Sequence, residues 1–204
     1  MYFDEKAQDW DNDPKKTERA IIFAKEINDF IKPNQNLNAL EFGCGTGLLS
    51  FQLKDNFKSI TLVDNSEGMI KVLKEKIESA NIKNFISLHI NSLEESDISN
   101  FDVIYTLMTL HHILDLDEIL KTFHSKLNTN GYLCIADIVK EDGSFHANHP
   151  NFDGHSGFEK EELTSLLSKN GFEAVHYKIC FEIEKKVGDK MKKYPLFLMI
   201  GKKI

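Results

Sequence analysis

The sequence predicts an α/β domain of the doubly wound class, a mostly parallel sheet with helices on both faces. Three observations carry this prediction. Short apolar runs alternate with segments of helical period between residues 38 and 139, and the first run ends in the glycine turn Gly43-Cys-Gly-Thr-Gly47. The second run ends in Asp64, about 20 residues after that turn, which is where a strand-helix-strand unit delivers an acid. Strand, helix and strand in that order require a parallel pair, because the crossover returns the chain to the same end of the sheet.

Taken in order, Tyr2 to Asp13 is aromatic and acidic, and Pro14 suits the first turn of a helix. The apolar face expected of that helix is Ala20, Ile21, Phe23, Ala24, Ile27 and Ile31, and Pro33-Asn34 stops it. Strand one is expected over Asn38 to Phe42, a helix from about Thr46 to Asn56, and strand two over Ser59 to Asp64. Ser66 fits the N-cap of the next helix, with Met69, Ile70, Leu73 and Ile77 facing inward. Strand three follows at Phe85 to Ile90 and strand four at Phe101 to Met108. The next helix, Leu116 to Leu127, has Asp117 and Glu118 in its first turn. Asn130-Gly131 then turns the chain into strand five, Tyr132 to Val139. A late helix, Lys160 to Lys169, is stopped by Asn170-Gly171. Two strand-like runs, Glu173 to Lys185 and Tyr194 to Gly201, flank a lysine-rich hairpin containing Gly188.

Composition bounds the function. The 204 residues, 41% hydrophobic and 28% charged, suit one globular domain able to bury its own core. A net charge of −7 argues against a nucleic-acid partner held through many phosphates. Lys185, Lys186, Lys190, Lys192 and Lys193 read as a solvated hairpin edge. The longest apolar runs, such as Leu196 to Ile200, are far shorter than a membrane span, and acidic residues rather than a basic segment follow Met1. A cytoplasmic protein without membrane association is expected. Cys44, Cys134 and Cys180 are widely spaced and include no Cys-x-x-Cys pair, so reduced thiols are expected rather than a disulfide framework or zinc ribbon.

Glycines at 43, 45 and 47 let the backbone turn sharply and let a ligand approach it closely. Leu48 stands where a dinucleotide fingerprint has its third glycine, so a pyrophosphate seat is not the best reading. With Glu41 opening it and Asp64 closing the next strand, the segment resembles motif I of the class I S-adenosylmethionine (SAM)-dependent methyltransferases. The likeness extends over nearly the whole chain. Phe101-Asp-Val-Ile104 resembles the family's fourth strand, and Leu127-Asn-Thr-Asn-Gly131 stands where the family often has Leu-Lys-Pro-Gly-Gly. Tyr132 to Asp137, Phe158 to Leu163 and Asn170-Gly-Phe172 resemble the elements that follow in the small-molecule branch. Phe3 to Trp10 resembles a segment that folds over the cofactor as a lid.

The resemblance implies a Rossmann-like seven-stranded sheet, five parallel strands plus a C-terminal hairpin whose last strand is antiparallel. It divides the single domain 1–204 into a lid segment and helix (1–32), a cofactor-binding core (37–139) and a substrate-side loop, helix and hairpin (140–204). Gly43, Cys44, Gly45 and Gly47 would then lie against the methionine part of SAM, and Asp64, with Asn65 beside it, would take the ribose hydroxyls. Glu41 would hold the cofactor's amino group through water or brace the loop. Met69 would stack on adenine or pack its helix. Asn91, with Ser92 and Leu93, stands where many relatives have an adenine-binding Asp, and its amide oxygen can accept the same bond. Thr106 and Leu107 would offer carbonyls to the methionine amine, and Trp10 and Tyr2 would close over the sulfonium. Strand four ends Tyr105-Thr-Leu-Met108, without the Asn-Pro-Pro-Tyr of base-methylating relatives, and no Pro-Cys nucleophile is present, which disfavours nucleobase acceptors.

His111, His112 and His155 are the candidate general bases, since imidazole titrates near neutrality; bracing the fold is the plainer role for them. His146, His149, Asp153 and His155 lie in a segment expected over the substrate. Their irregular spacing in a loop argues against a metal site and for a substrate-facing lid. The expected activity is methyl transfer from SAM to a small molecule with S-adenosylhomocysteine as product. Two alternatives stand beside it, a SAM-binding regulator without turnover and a nicotinamide-dependent oxidoreductase, the latter disfavoured by Leu48 and the terminal hairpin. The acceptor, its attacking atom (O, N, S or C) and the oligomeric state are left open by the sequence.

Overall fold

The computed structural model describes residues 2–149 and 152–204. Its seven strands are β1 (Asn38–Phe42), β2 (Ser59–Asp64), β3 (Phe85–His89), β4 (Phe101–Leu107), β5 (Leu127–Ile138), β6 (Phe172–Val187) and β7 (Lys190–Lys203). They form one sheet in the order β3-β2-β1-β4-β5-β7-β6. β1 to β5 pair in parallel, while β7 lies antiparallel to both β5 and β6. This is the doubly wound sheet with a reversed last strand that the sequence predicts.

The helices are α1 (Tyr2–Lys6), α2 (Pro14–Ile31), α3 (Leu48–Leu53), α4 (Glu67–Ser79), α5 (Leu116–Lys126) and α6 (Lys160–Lys169). Successive strand residues face opposite sides, and here both sides are covered. Ala39, Leu62, Tyr105 and Ala136 join Phe23, Leu53 and Leu73 of α2 to α4 in one apolar layer. Leu40, Val63, Ile104 and Ile135 join Phe123 of α5 and Leu167 of α6 in the other. Burial on both faces explains why the parallel strands read as unbroken apolar runs. Side chains cap three helix starts: Asp13 accepts from Lys15 N (3.0 Å), Ser66 from Met69 N (3.2 Å) and Asp115 from Glu118 N (2.8 Å).

Four expectations are corrected. Ile21 is 50% exposed, because the buried stripe Ala20, Phe23, Ala24 and Ile27 follows the helical spacing and leaves Ile21 about 100° off it. α3 starts at Leu48 rather than Thr46, because Gly47 is its N-cap at φ +81° and bonds back to Cys44 O (2.8 Å); the helix ends at Leu53 rather than Asn56. β5 begins at Leu127. Leu127 pairs with Phe101, Tyr132 pairs with Val103, and Asn130 at φ +62° sits in the irregularity between them, a bulge inside the strand rather than a turn before it. The hairpin strands run to the tip, Val187 pairing with Lys190, because Gly188 at φ +59° allows a two-residue turn. Among the described residues no helix is long and apolar enough to cross a membrane.

Phe23 is fully buried between α2 and the sheet. Phe23→Ala should cost about 3–5 kcal/mol, seen as a lowered urea midpoint with an unchanged slope.

Candidate active site

The strand order reverses between β1 and β4, so the segments leaving these two strands diverge and open a crevice at their C-terminal ends. A cavity of ≈ 600 Å³ lies there. Gly43 and Gly45 follow β1, Asp64 and Asn65 end β2, Asn91, Ser92 and Leu93 follow β3, and Leu107, Met108 and Thr109 end β4; all line it. Phe42, Val63, Met69 and Ile90 give it apolar wall, and Tyr2 and Phe3 of α1 close one side. Asp115 and Glu118 at the start of α5 make its far edge acidic.

The glycine turn is held from β2. Gly43 N and Cys44 N both donate to Val63 O, at 2.9 and 3.0 Å. Gly43 has φ +67°, and a Cβ there would stand 2.1 Å from Thr109 Cγ2, so this position tolerates no side chain. At Gly45, φ +52°, a Cβ would meet no protein atom closer than 3.8 Å; glycine here leaves the backbone approachable from the cavity. Gly45 N donates to Asp64 Oδ2 (2.7 Å), and Ser66 N donates to Asp64 Oδ1 (2.8 Å). Burial pushes the Asp64 carboxyl upward while these backbone donors pull it down. The Asn65 N–H also favours the charged form, and the carboxylate's two oxygens, with about four lone-pair sites, outnumber these donors.

Five residues expected at the cofactor do not line the cavity, although Trp10 stands close beside it, its Nε1 3.8 Å from where a Cβ on Gly45 would lie. Glu41, 2% exposed, accepts from Ser50 N (3.2 Å) and from the Ser50 hydroxyl, which also meets the Tyr105 hydroxyl at 2.7 Å. It braces α3 against β1 and β4. Burial raises its carboxyl to about 8, so it is a neutral acid at physiological pH. Cys44 is buried, and burial raises its thiol. Gly47 serves as the α3 cap. Thr106 is fully buried in β4. Trp10 packs on Phe3 (5.9 Å between centroids) beneath the Lys16 ammonium, 3.4 Å from its ring centre.

Two carboxylates fasten the N-terminal segment over the site. Asp4 Oδ1 accepts from the Ser66 hydroxyl (2.7 Å) and Gly68 N (2.9 Å) at the start of α4, and these bonds hold its carboxyl down to about 2. Asp11 pairs with Lys76 (2.5 Å) and accepts from the Thr46 hydroxyl, while Lys76 also donates to Thr46 O (2.8 Å). The segment is thus tied to the glycine turn and to α4 together.

The histidines gather differently from their sequence grouping. His112 lines the cavity, with Phe3 edge-on at 5.5 Å. Burial, with His111 beside it, lowers its pKa to about 4. His111 is buried behind it, its Nδ1 at 2.6 Å from Asp137 Oδ1, its backbone N–H on Asp137 Oδ2 (3.2 Å). His155 is turned away: Nε2 donates to Ile113 O (2.9 Å) and its backbone N–H to His111 O (2.7 Å), which lashes the segment after Phe152 onto the turn after β4. His146 stacks on Phe152 (3.6 Å) with its centroid 5.1 Å from that of His111, and burial lowers its pKa to about 3. His149 packs on Tyr2 (4.8 Å).

Sequence reasoning missed Asp4, Asp11 and Asp137 as site-forming residues. Asp137 left a signal, a carboxylate inside the apolar run Leu133 to Val139 of a strand buried on both faces, where a charge needs a partner. Asp4 and Asp11 left none, since surface acids are ordinary.

Comparison with known proteins fits this geometry. The family model described as "Methyltransferase domain" matches residues 16–177. An uncharacterized methyltransferase of Schizosaccharomyces pombe is 33% identical over 156 residues, covering 69% of this chain and 55% of its own length. A ubiquinone biosynthesis O-methyltransferase of Pelagibacter ubique is 33% identical over 121 residues, 59% of this chain and 50% of that protein. The chain thus spans about half the length of these relatives. The crystal structure of a SAM-dependent methyltransferase from Aquifex aeolicus has the same fold, with TM-score 0.67, 16% identity, and coverage of 94% of this chain and 99% of that one.

The buried acid of Glu41 has a pH signature. Its folded-state pKa, about 8, lies above the ordinary 4.5, so the folded chain binds the extra proton and stability falls as pH rises between those values. The buried His112 and His146 act oppositely, but only below their ordinary 6.5. Between pH 6.5 and 8, denaturation should show stability falling by up to about 1.4 kcal/mol per pH unit, and Glu41→Gln should flatten that slope.

Proposed function

The chain belongs to the methyltransferase domain family, and we propose that it transfers a methyl group from SAM to a small-molecule acceptor. The observation that carries this reading is the Asp64 carboxylate at the switch-point cavity, bonded to the N–H of Gly45 in the approachable turn.

The residues present fit the cofactor. A carboxylate with free lone pairs suits a ribose diol and would repel a ribose phosphate. Val63, Ile90 and Leu93 offer apolar wall to a purine, with the Asn91 amide at its rim. Gly43 and Gly45 admit a chain against the backbone, and the carbonyl of Leu107 is an acceptor for an ammonium. When bound, SAM supplies an activated methyl on a sulfonium. The protein's part is to align the acceptor with that methyl and keep water out. Tyr2 and Phe3 exclude solvent, which makes the segment from Tyr2 to Asn12 a lid. His112, neutral above about pH 4, presents a ring nitrogen at the cavity wall, facing the acceptor. So weak a base contributes little proton transfer by itself, and alignment gives most of the acceleration. Buried free thiols at Cys44 and Cys134 support a reducing, cytoplasmic setting.

Calorimetry with S-adenosylhomocysteine and with NAD tests the reading. S-adenosylhomocysteine should bind, and Asp64→Ala should weaken it by about 1.5–3 kcal/mol through loss of charge-assisted bonds, with a thermal melt showing that the variant folds. Binding of NAD alone would sink the proposal.

A further inference from the structure

Among the described residues, His111, His112 and His146 bring one ring nitrogen each to within 4.8 Å of one another. Neither the transfer reaction nor the packing requires three imidazoles to meet at the edge of the cavity. We propose that these three histidines bind one divalent transition-metal ion of the zinc class, beside the acceptor end of the cavity.

The surroundings are those of a metal site. His111 is fixed from behind by the fully buried Asp137, at 2.6 Å from its Nδ1, which leaves Nε2 as the ligand atom. A carboxylate behind a ligating imidazole sets ring orientation and raises ligand basicity. Nδ1 of His146 is buried and has no hydrogen-bond partner, an unsatisfied polar atom that a metal or water would satisfy. Tetrahedral coordination at about 2.0–2.1 Å puts ligand nitrogens roughly 3.3–3.4 Å apart. From a separation of up to 4.8 Å, the nitrogens need to close by at most about 1.5 Å, shared among the side chains. His111 is the fixed point; His112 stands on the cavity wall, and His146 lies in the segment after β5, stacked on Phe152.

Three imidazoles with a fourth position open is the arrangement of catalytic rather than structural zinc, and imidazole suits zinc, cobalt and nickel over calcium or magnesium. Because His112 lines the cavity, the open position would take the acceptor's own heteroatom. That favours a hydroxyl or thiol, whose proton leaves to solvent on coordination, over a carbon nucleophile. The role at the acceptor rests on the methyltransferase reading; the binding of the ion does not.

The test uses the full chain without a polyhistidine tag, stripped with chelator and titrated with Zn²⁺ by calorimetry, and with Co²⁺ by its visible absorption. One ion per chain is expected. His112→Ala and His146→Ala should each weaken binding at least 100-fold, and Asp137→Asn roughly 10–100-fold. The partly buried His146 is the safer variant, and S-adenosylhomocysteine binding measured on the same samples reports that the fold is intact. Zn²⁺ binding that is absent, or equal in wild type and His146→Ala, overturns the metal site. Loss of S-adenosylhomocysteine binding in the wild type with one-to-one Zn²⁺ retained would overturn the cofactor reading and leave the metal site standing.

Discussion

The pair of bonds that Asp64 accepts is the constraint on which the site depends. One oxygen holds Gly45 and the other holds Ser66, so a single side chain fixes the turn after β1 and the start of α4 to each other. Everything that lines the near side of the cavity hangs from those two places. Gly43 and Cys44 are positioned by their bonds to Val63 O, and Met69 by the Ser66 cap. A carboxylate that is both scaffold and proposed ligand keeps its geometry before any cofactor arrives, so little ordering cost falls on binding.

Glu41, nine residues from Ser50 in sequence, shows how the same chemical group takes the opposite role. Asp64 faces the cavity and receives two backbone donors, whereas Glu41 is enclosed and receives one backbone donor and a hydroxyl. Burial wins at Glu41 and the acid stays protonated near neutrality. Two negative charges on either side of the glycine turn would repel one another; holding one of them neutral removes that repulsion.

The architecture was legible because parallel strands buried on both sides are written as apolar runs, and because glycine turns and caps such as Ser66 are local signals. Bounds slipped where backbone geometry decides: Gly47 as a cap displaced the start of α3, and Asn130 became a bulge within β5 rather than a turn. The site was legible where residues follow strand ends in sequence, as Asp64, Asn91 and Leu107 do. It was opaque where the contact is long-range. Nothing local brings Asp137 to His111, 26 residues earlier, or Asp4 to Gly68, 64 residues later. His146 reads as part of a loop cluster with His149 and His155, yet it packs against His111 because the chain after β5 folds back across the turn after β4.

The fastening of the N-terminal segment has a kinetic meaning. Its polar anchors, Asp4 on the Ser66 hydroxyl and the Gly68 N–H and Asp11 on Lys76, are electrostatic and partly buried, with Lys76 26% and Asp11 32% exposed. Dissolved salt, whose screening length is about 8 Å at physiological ionic strength, weakens such partly buried pairs less than exposed ones, but it does reach them. Tyr2 and Phe3, by contrast, meet the cavity through apolar contact, which salt does not screen. Ionic strength therefore loosens the latch modestly and leaves the apolar closure beneath it untouched, so exchange of whatever the cavity holds is tied to the solution outside as well as to the walls within.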